Sequence, residues 1–160
     1  MTPASIEERD LLRHFLATLA YRGGKCLREV PAAFPQQDCG TGKTPLAILG
    51  HLGDLLEWAL SMARGEQRWQ PATPENWEQE TARFHQGLAD LDQFLATDQP
   101  LQAPASRLLQ GPLADAMTHI GQLAMLRRLA GAAIVGENYF VADIETGRVG
   151  PDQAPPRKTF

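Results

Sequence analysis

The stretch TPLAILGHLGDLLEWALSMARG, residues 44–65, decides the fold class. Thr44 offers a hydroxyl to cap a helix, and Pro45 follows at the first helical position, where a missing N–H costs nothing. Ile48, Leu52, Leu55, Ala59 and Met62 then recur every three or four residues, the period of one helix face. Gly65 closes the segment, because glycine accepts the left-handed dihedrals of a helix end. The reading is a helix of about 20 residues, roughly 30 Å long, with His51 on its apolar stripe.

The same signals extend in both directions. Upstream, Ser5-Ile6-Glu7-Glu8 is a capping box, and Leu12, Phe15 or Leu16, Leu19, Cys26 and Val30 keep the helical period. Gly23-Gly24 weakens the middle of that helix without ending it, and Pro31 stops it. Residues 31–44, PAAFPQQDCGTGKT, read as a connection. Downstream, Thr73-Pro74 repeats the start signal ahead of Trp77, Thr81, Phe84, Leu88, Leu91 and Leu95, and Asp98 and Pro100 end the pattern. After a short turn at Ser106, Gly111-Pro112 opens a fourth helix with the stripe Ala116, His119, Leu123, Leu126 and Ala130, closed by Gly131.

Four amphipathic helices of similar length, with no strand-like alternation and no internal repeat, predict an all-α four-helix bundle over residues 1–131. Residues 132–160 carry Gly136, Gly147, Gly150, Pro151, Pro155 and Pro156 without a sustained period. They predict an irregular C-terminal tail, pinned to the bundle by Ile134, Tyr139 and Phe140.

Composition narrows the function. The 160 residues, 43% of them apolar, include 15 basic and 19 acidic side chains for a net charge of −4. That reads as one soluble globular domain, large enough to fold without a disulfide or a metal. With a pI near 5.5 and no basic cluster beyond Arg127-Arg128, the chain lacks the face that nucleic acid rewards. The opening MTPASIEERD carries acids where a signal peptide carries bases, and no apolar stretch approaches about 20 residues. A cytoplasmic protein with no membrane partner is expected. Cys26 and Cys39 are too few and too loosely spaced for a zinc ribbon or a redox pair, and are read as free thiols. Gly40-Thr41-Gly42-Lys43-Thr44 looks like the end of a phosphate-binding loop, but Gln37 stands where that loop needs glycine and no buried strand precedes it. No nucleotide site is expected there.

The histidines point elsewhere. The ring of His51 is expected to face the bundle interior, where an imidazole needs a partner. Asp115 and His119 lie four residues apart on the fourth helix, which puts them on one face about 5–6 Å apart, a minimal metal clamp. His51, Asp115 and His119 together offer two neutral imidazoles and a carboxylate from two helices. That set suits zinc, nickel, iron or manganese and leaves coordination positions open. The alternative makes Asp115 a solvated residue and His119 a core histidine bonded to a neighbouring acceptor. His14 and His85 have no carboxylate or histidine at a chelating spacing and are read as surface or edge residues. Asp54, three residues after His51, is placed to orient that ring or to add a ligand. The commoner role for Asp54 and Glu57 is that of solvated helix acids. Trp58, Trp69 and Trp77 are expected to bury aromatic area rather than to form a site.

The segment from Thr44 to Trp58, followed by that from Asp115 to Gly131, resembles the DinB-like family of metalloenzymes. These are four-helix bundles with a histidine on the second helix and a His-x-x-x-His pair on the last. His51 matches the helix-two ligand. His119-Ile120-Gly121-Gln122-Leu123 falls in the frame where the family's second paired histidine is followed by Arg-Gly-Gln. Asp115 stands where the family has its first paired histidine, and Ile120 where it has arginine. The resemblance covers about residues 5 to 131. It implies a divalent metal, most often zinc or nickel, a small-molecule substrate and a homodimer. It also implies a low-molecular-weight thiol cosubstrate, as in the bacillithiol transferases and mycothiol-dependent isomerases. Two functions follow. One is a metal-dependent enzyme of thiol S-transferase or hydrolase type, in which the ion lowers the pKa of a bound thiol or water. The other is a non-catalytic binding or scaffold protein with a degenerate or structural metal site, which the exchange of histidine for Asp115 favours.

Overall fold

The structure, a computed structural model, describes residues 5–38 and 40–160. Cys39, expected as a free thiol, lies outside the described residues. Ser5 Oγ accepts from the Glu8 amide at 3.2 Å while Glu8 Oε2 accepts from the Ser5 amide at 2.8 Å, the capping box that starts α1 (Ile6–Leu27). Thr44 accepts from the Ala47 amide at 3.2 Å, and Gly65 at φ 81 ends α2 (Pro45–Arg64). Helix α3 spans Trp77–Leu95. A short α4 (Ala105–Leu108), a π turn (Leu109–Leu113) and α5 (Ala114–Leu129) run on as one fourth helix. The described residues are all-α: their only β pairing is an isolated bridge between Glu137 and Thr159.

Both α1 and α2 pack against α3 and α5, so four long helices surround one core with α1 and α2 on its diagonal. Leu16, Leu19, Leu49, Leu52, Leu56, Phe84, Leu88, Leu113 and Leu123 are fully buried there, each worth about 1.5–3 kcal/mol relative to exposure. Helix α2 is enclosed on nearly every side, with Ala47, Glu57 and Arg64 its exposed positions. It is long and apolar enough to cross a membrane, and 67% of its most apolar window is buried within the protein. The expectation of no such apolar stretch is thereby corrected. The periodic stripe left out the small residues of α2, yet these are packed too: a Cβ on Gly50 would meet Pro74 at 2.9 Å, and one on Gly53 would run into Arg83.

Three helix boundaries differ from the sequence reading. Helix α1 ends at Leu27, short of Pro31, and Arg127 covers its end. The Arg127 guanidinium, nearly buried, donates to the carbonyls of Lys25 (3.2 Å), Cys26 (3.3 Å) and Arg28 (2.7 Å). These are groups that a helix terminus leaves without partners. Helix α3 starts after Asn76, whose side chain accepts from the Gln79 amide at 2.9 Å, because Pro74 is taken up in packing on Gly50. The fourth helix starts at Ala105, and Pro112 sits inside the π turn rather than at a helix start. A π turn has no i→i−4 bond to lose at the proline, and its extra residue rotates the following face by about 100°. Gly23 is a contact point rather than a weak one, since a Cβ there would lie 2.8 Å from Phe84 Cζ.

The tail returns over α1 and α3. Glu137 is buried, with Oε1 accepting from the Tyr21 hydroxyl at 2.6 Å and Oε2 from Lys25 Nζ at 2.7 Å. Burial and this carboxylate together push the Tyr21 hydroxyl far above its ordinary pKa. Ile134 packs on the core, and the Tyr139 ring meets Tyr21 edge-on at 6.3 Å beneath the Arg22 guanidinium. Phe140, expected as a pin, is 96% exposed, because Asn138 caps a turn of 3-10 helix (Tyr139–Val141) that aims it outward. His85 is not at the surface: it is buried, and its Nδ1 lies 3.2 Å from the carbonyl of buried Val149. Burial holds its pKa below the ordinary 6.5. His14 is exposed, as read. Cys26 is a free thiol whose burial pushes its pKa up to about 11.

Candidate metal centre

His51 comes from α2, and Asp115 and His119 from the first turns of α5, just past the π turn that sets their face. One potential ligand atom from each lies within 4.8 Å of the others. The His51 and His119 ring centroids are 4.7 Å apart. Asp115 Oδ2 is 3.8 Å from His51 Nε2, and its Oδ1 is 3.3 Å from His119 Nδ1. The sequence expectation that these three residues meet is met by this geometry.

The hydrogen bonding decides which nitrogen of His119 is free. Its Nδ1 is 2.9 Å from the Asp115 backbone carbonyl. A carbonyl only accepts, so in the neutral ring Nδ1 carries the proton and the lone pair falls to Nε2. The side chains of His119, His51 and Asp115 are 12%, 30% and 47% exposed, so the cluster is closed on the core side and open on the other. His51 therefore sits at the bundle's edge rather than pointing fully inward. Trp69 meets the His51 ring edge-on at 5.8 Å and the Trp58 ring edge-on at 5.7 Å. Contrary to the expectation of buried aromatic area, Trp69 is 48% exposed, because it lies on the loop after α2 and flanks the cluster from the solvent side. Burial and the neighbouring His119 hold His51 below its ordinary pKa of 6.5, against the opposing pull of Asp115 and Asp54. The imidazole is neutral at pH 7, the form that binds metal.

The donor set fits a divalent ion. Two nitrogens and an oxygen can converge on one centre with bonds of about 2.0–2.2 Å. Among the described residues Asp115 pairs with the two imidazoles and with no lysine or arginine.

A second cluster braces the first, and sequence reasoning missed its centre. Arg83 on α3 pairs with Asp54, with Glu57 at 2.9 Å and with Glu80 at 2.9 Å, and donates to the Gly50 carbonyl, next to His51, at 2.8 Å. Burial opposes its charge, but the carboxylates of Glu57, Asp54 and Glu80 outweigh that and hold its pKa above the ordinary value. Asp54, expected as a solvated acid or a partner of His51, is buried and bound to Arg83 instead; it also accepts from the Ala72 amide at 3.0 Å, in the loop that carries Trp69. Glu57 is largely exposed, as expected. The spacing of Glu80 and Arg83, three apart on one helix face, was the available signal.

Beside His119 runs a cleft of about 380 Å³ lined by Thr41 and Lys43 from the α1–α2 connection, Ile48 of α2, and Gln122, Met125, Leu126 and Leu129 of α5. No family model, curated protein or solved structure matches the chain.

Proposed function

We propose that the chain is a divalent-metal-dependent enzyme of the DinB-like kind, acting by thiol S-transfer or hydrolysis. The observation that carries this reading is the convergence of His51, Asp115 and His119 within 4.8 Å, with no lysine or arginine paired to Asp115 among the described residues. Two imidazoles and one carboxylate suit zinc or nickel, and iron or manganese within the same donor chemistry. When bound, such an ion lowers the pKa of a thiol or water in its shell toward neutrality.

The chain's own residues prepare the site. The bond from His119 Nδ1 to the Asp115 carbonyl fixes the ring so that Nε2 faces outward from its own helix turn. Low proton affinity at His51 removes the proton as a competitor for its lone pair at neutral pH. Arg83 holds the α2 backbone next to His51, and Trp69 keeps water from one side of its ring. The exposed flank of Asp115 leaves an approach for substrate and for a low-molecular-weight thiol cosubstrate.

The test is turnover after reconstitution with each of zinc, nickel, iron(II) and manganese. A panel pairs a low-molecular-weight thiol with electrophiles, and runs beside a panel of esters and amides. The reading expects turnover with at least one metal, lost on chelation and lost in His119→Ala. Stoichiometric metal without turnover on either panel would replace it with the non-catalytic binding or scaffold reading.

A further inference from the structure

The cleft beside His119 has a mixed lining. Ile48, Met125, Leu126 and Leu129 make an apolar wall, on which Met125 is 57% and Leu129 61% exposed. Thr41 and Lys43, from the glycine-rich segment 40–44, line the same cleft. Gly40 and Gly42 both adopt φ 74, a left-handed conformation that glycine tolerates. The Gly40 amide donates to Asp38 Oδ1 at 2.8 Å, and Thr41 Oγ1 donates to the Lys43 carbonyl at 3.0 Å. These bonds hold the loop in a turn, and Lys43 lines the cleft. Among the described residues Lys43 forms no ion pair. An ammonium without an ion pair, lining one cleft with four apolar side chains and the Gln122 amide, is complementary to an amphipathic anion.

We propose that this cleft binds an organic carboxylate, an aryl or alkyl body lying on Ile48, Met125, Leu126 and Leu129 with its carboxylate at Lys43. The class is a carboxylate rather than a phosphate ester, because a phosphate site gathers several donors or a bidentate arginine and this cleft offers a single lysine. The body ends beside His119, which makes such a ligand the substrate of the candidate metal centre. That last step rests on the metal-enzyme reading, whereas the binding itself does not.

The experiment titrates phenylbutyrate and its neutral analogue phenylbutanol into the full chain, metal-free and zinc-reconstituted, by amide NMR. Lys43→Met and Leu129→Asp are run in parallel, with their folding checked by thermal unfolding. The expected result is amide shifts centred on Lys43, Gln122, Met125 and Leu129. The carboxylate should bind about three- to five-fold more tightly than the alcohol, the range of one exposed ion pair. Lys43→Met should bring that ratio to about one, and Leu129→Asp should weaken both ligands. Equal affinities in the unsubstituted chain, shifts centred elsewhere, or a cleft closed by a second copy of the chain would each overturn the proposal. Stoichiometric metal without carboxylate preference would overturn this proposal alone. Carboxylate preference in a chain that takes up no metal would overturn the metal reading and leave the binding site standing.

Discussion

His51 and Asp54 sit one turn apart on α2, and the clusters they join balance their charge by different means. Asp54, with Glu57 and Glu80, surrounds a guanidinium supplied by the fold, and Arg83 also donates to the α2 backbone. Its carboxylates lack no partner. Among the described residues Asp115 pairs only with the imidazoles of His51 and His119, the first of which is held below its ordinary pKa and is neutral at pH 7. The first cluster is a brace that carries its own cation. The second collects lone pairs and a carboxylate at an open edge of the bundle, the arrangement of a site that takes its cation from solution. A residue's type says little about which role it has; what separates Asp54 from Asp115 is whether a fixed cation reaches it.

Breaking the brace should have the largest effect. Arg83→Met leaves Asp54 and Glu80 buried without a cation and is expected to cost about 3–5 kcal/mol in denaturant unfolding. A loss below about 1 kcal/mol would mean that the two clusters do not differ as described. Loading the other cluster comes next. Zinc at a hundred times its dissociation constant should add about 2.7 kcal/mol to the stability of the unsubstituted chain, and nothing to His51→Ala or His119→Ala. Calorimetry with and without chelator checks this.

A third polar group sharpens the contrast. Glu137 is a closed site like the Arg83 cluster, so Tyr21→Phe, which removes one of its two partners, should cost about 1–2 kcal/mol, and metal should not restore it. The smallest effect concerns His85. Its pKa is depressed in the folded chain from 6.5, so below that pH the unfolded chain binds more protons than the folded one. Stability should therefore be unaffected by this group at high pH and fall as pH drops through 6.5, by at most about 1.4 kcal/mol per pH unit. His85→Gln should flatten that slope; an unchanged profile would place the acid sensitivity in other groups.

Much of this was legible because it is local. The caps at Ser5, Thr44 and Gly65 depend on neighbours within a few residues, and the core stripes on a period of three to four. The pairing of Asp115 with His119 needs only helical spacing, and helix order brings His51 to them. What escaped depends on contacts between distant segments. Arg83 meets Asp54 across a helix interface, and His85 is buried only because the tail lays Val149 over it. Pro112 was visible but ambiguous: proline starts helices more often than it sits in them, and only the π turn reconciles it with a helix already begun at Ala105. Phe140 looked like an anchor from its apolar character, whereas buried Glu137 and partly buried Tyr139 hold that stretch of the tail.

The central claim is that the cluster of His51, Asp115 and His119 takes a divalent cation. Elemental mass spectrometry on tag-free protein, reconstituted and then desalted, tests it most directly. About one equivalent per chain, absent from His51→Ala and His119→Ala while Arg83 and Glu137 stay in place, is the predicted result. No metal after reconstitution, or metal retained when both histidines are removed, would contradict it.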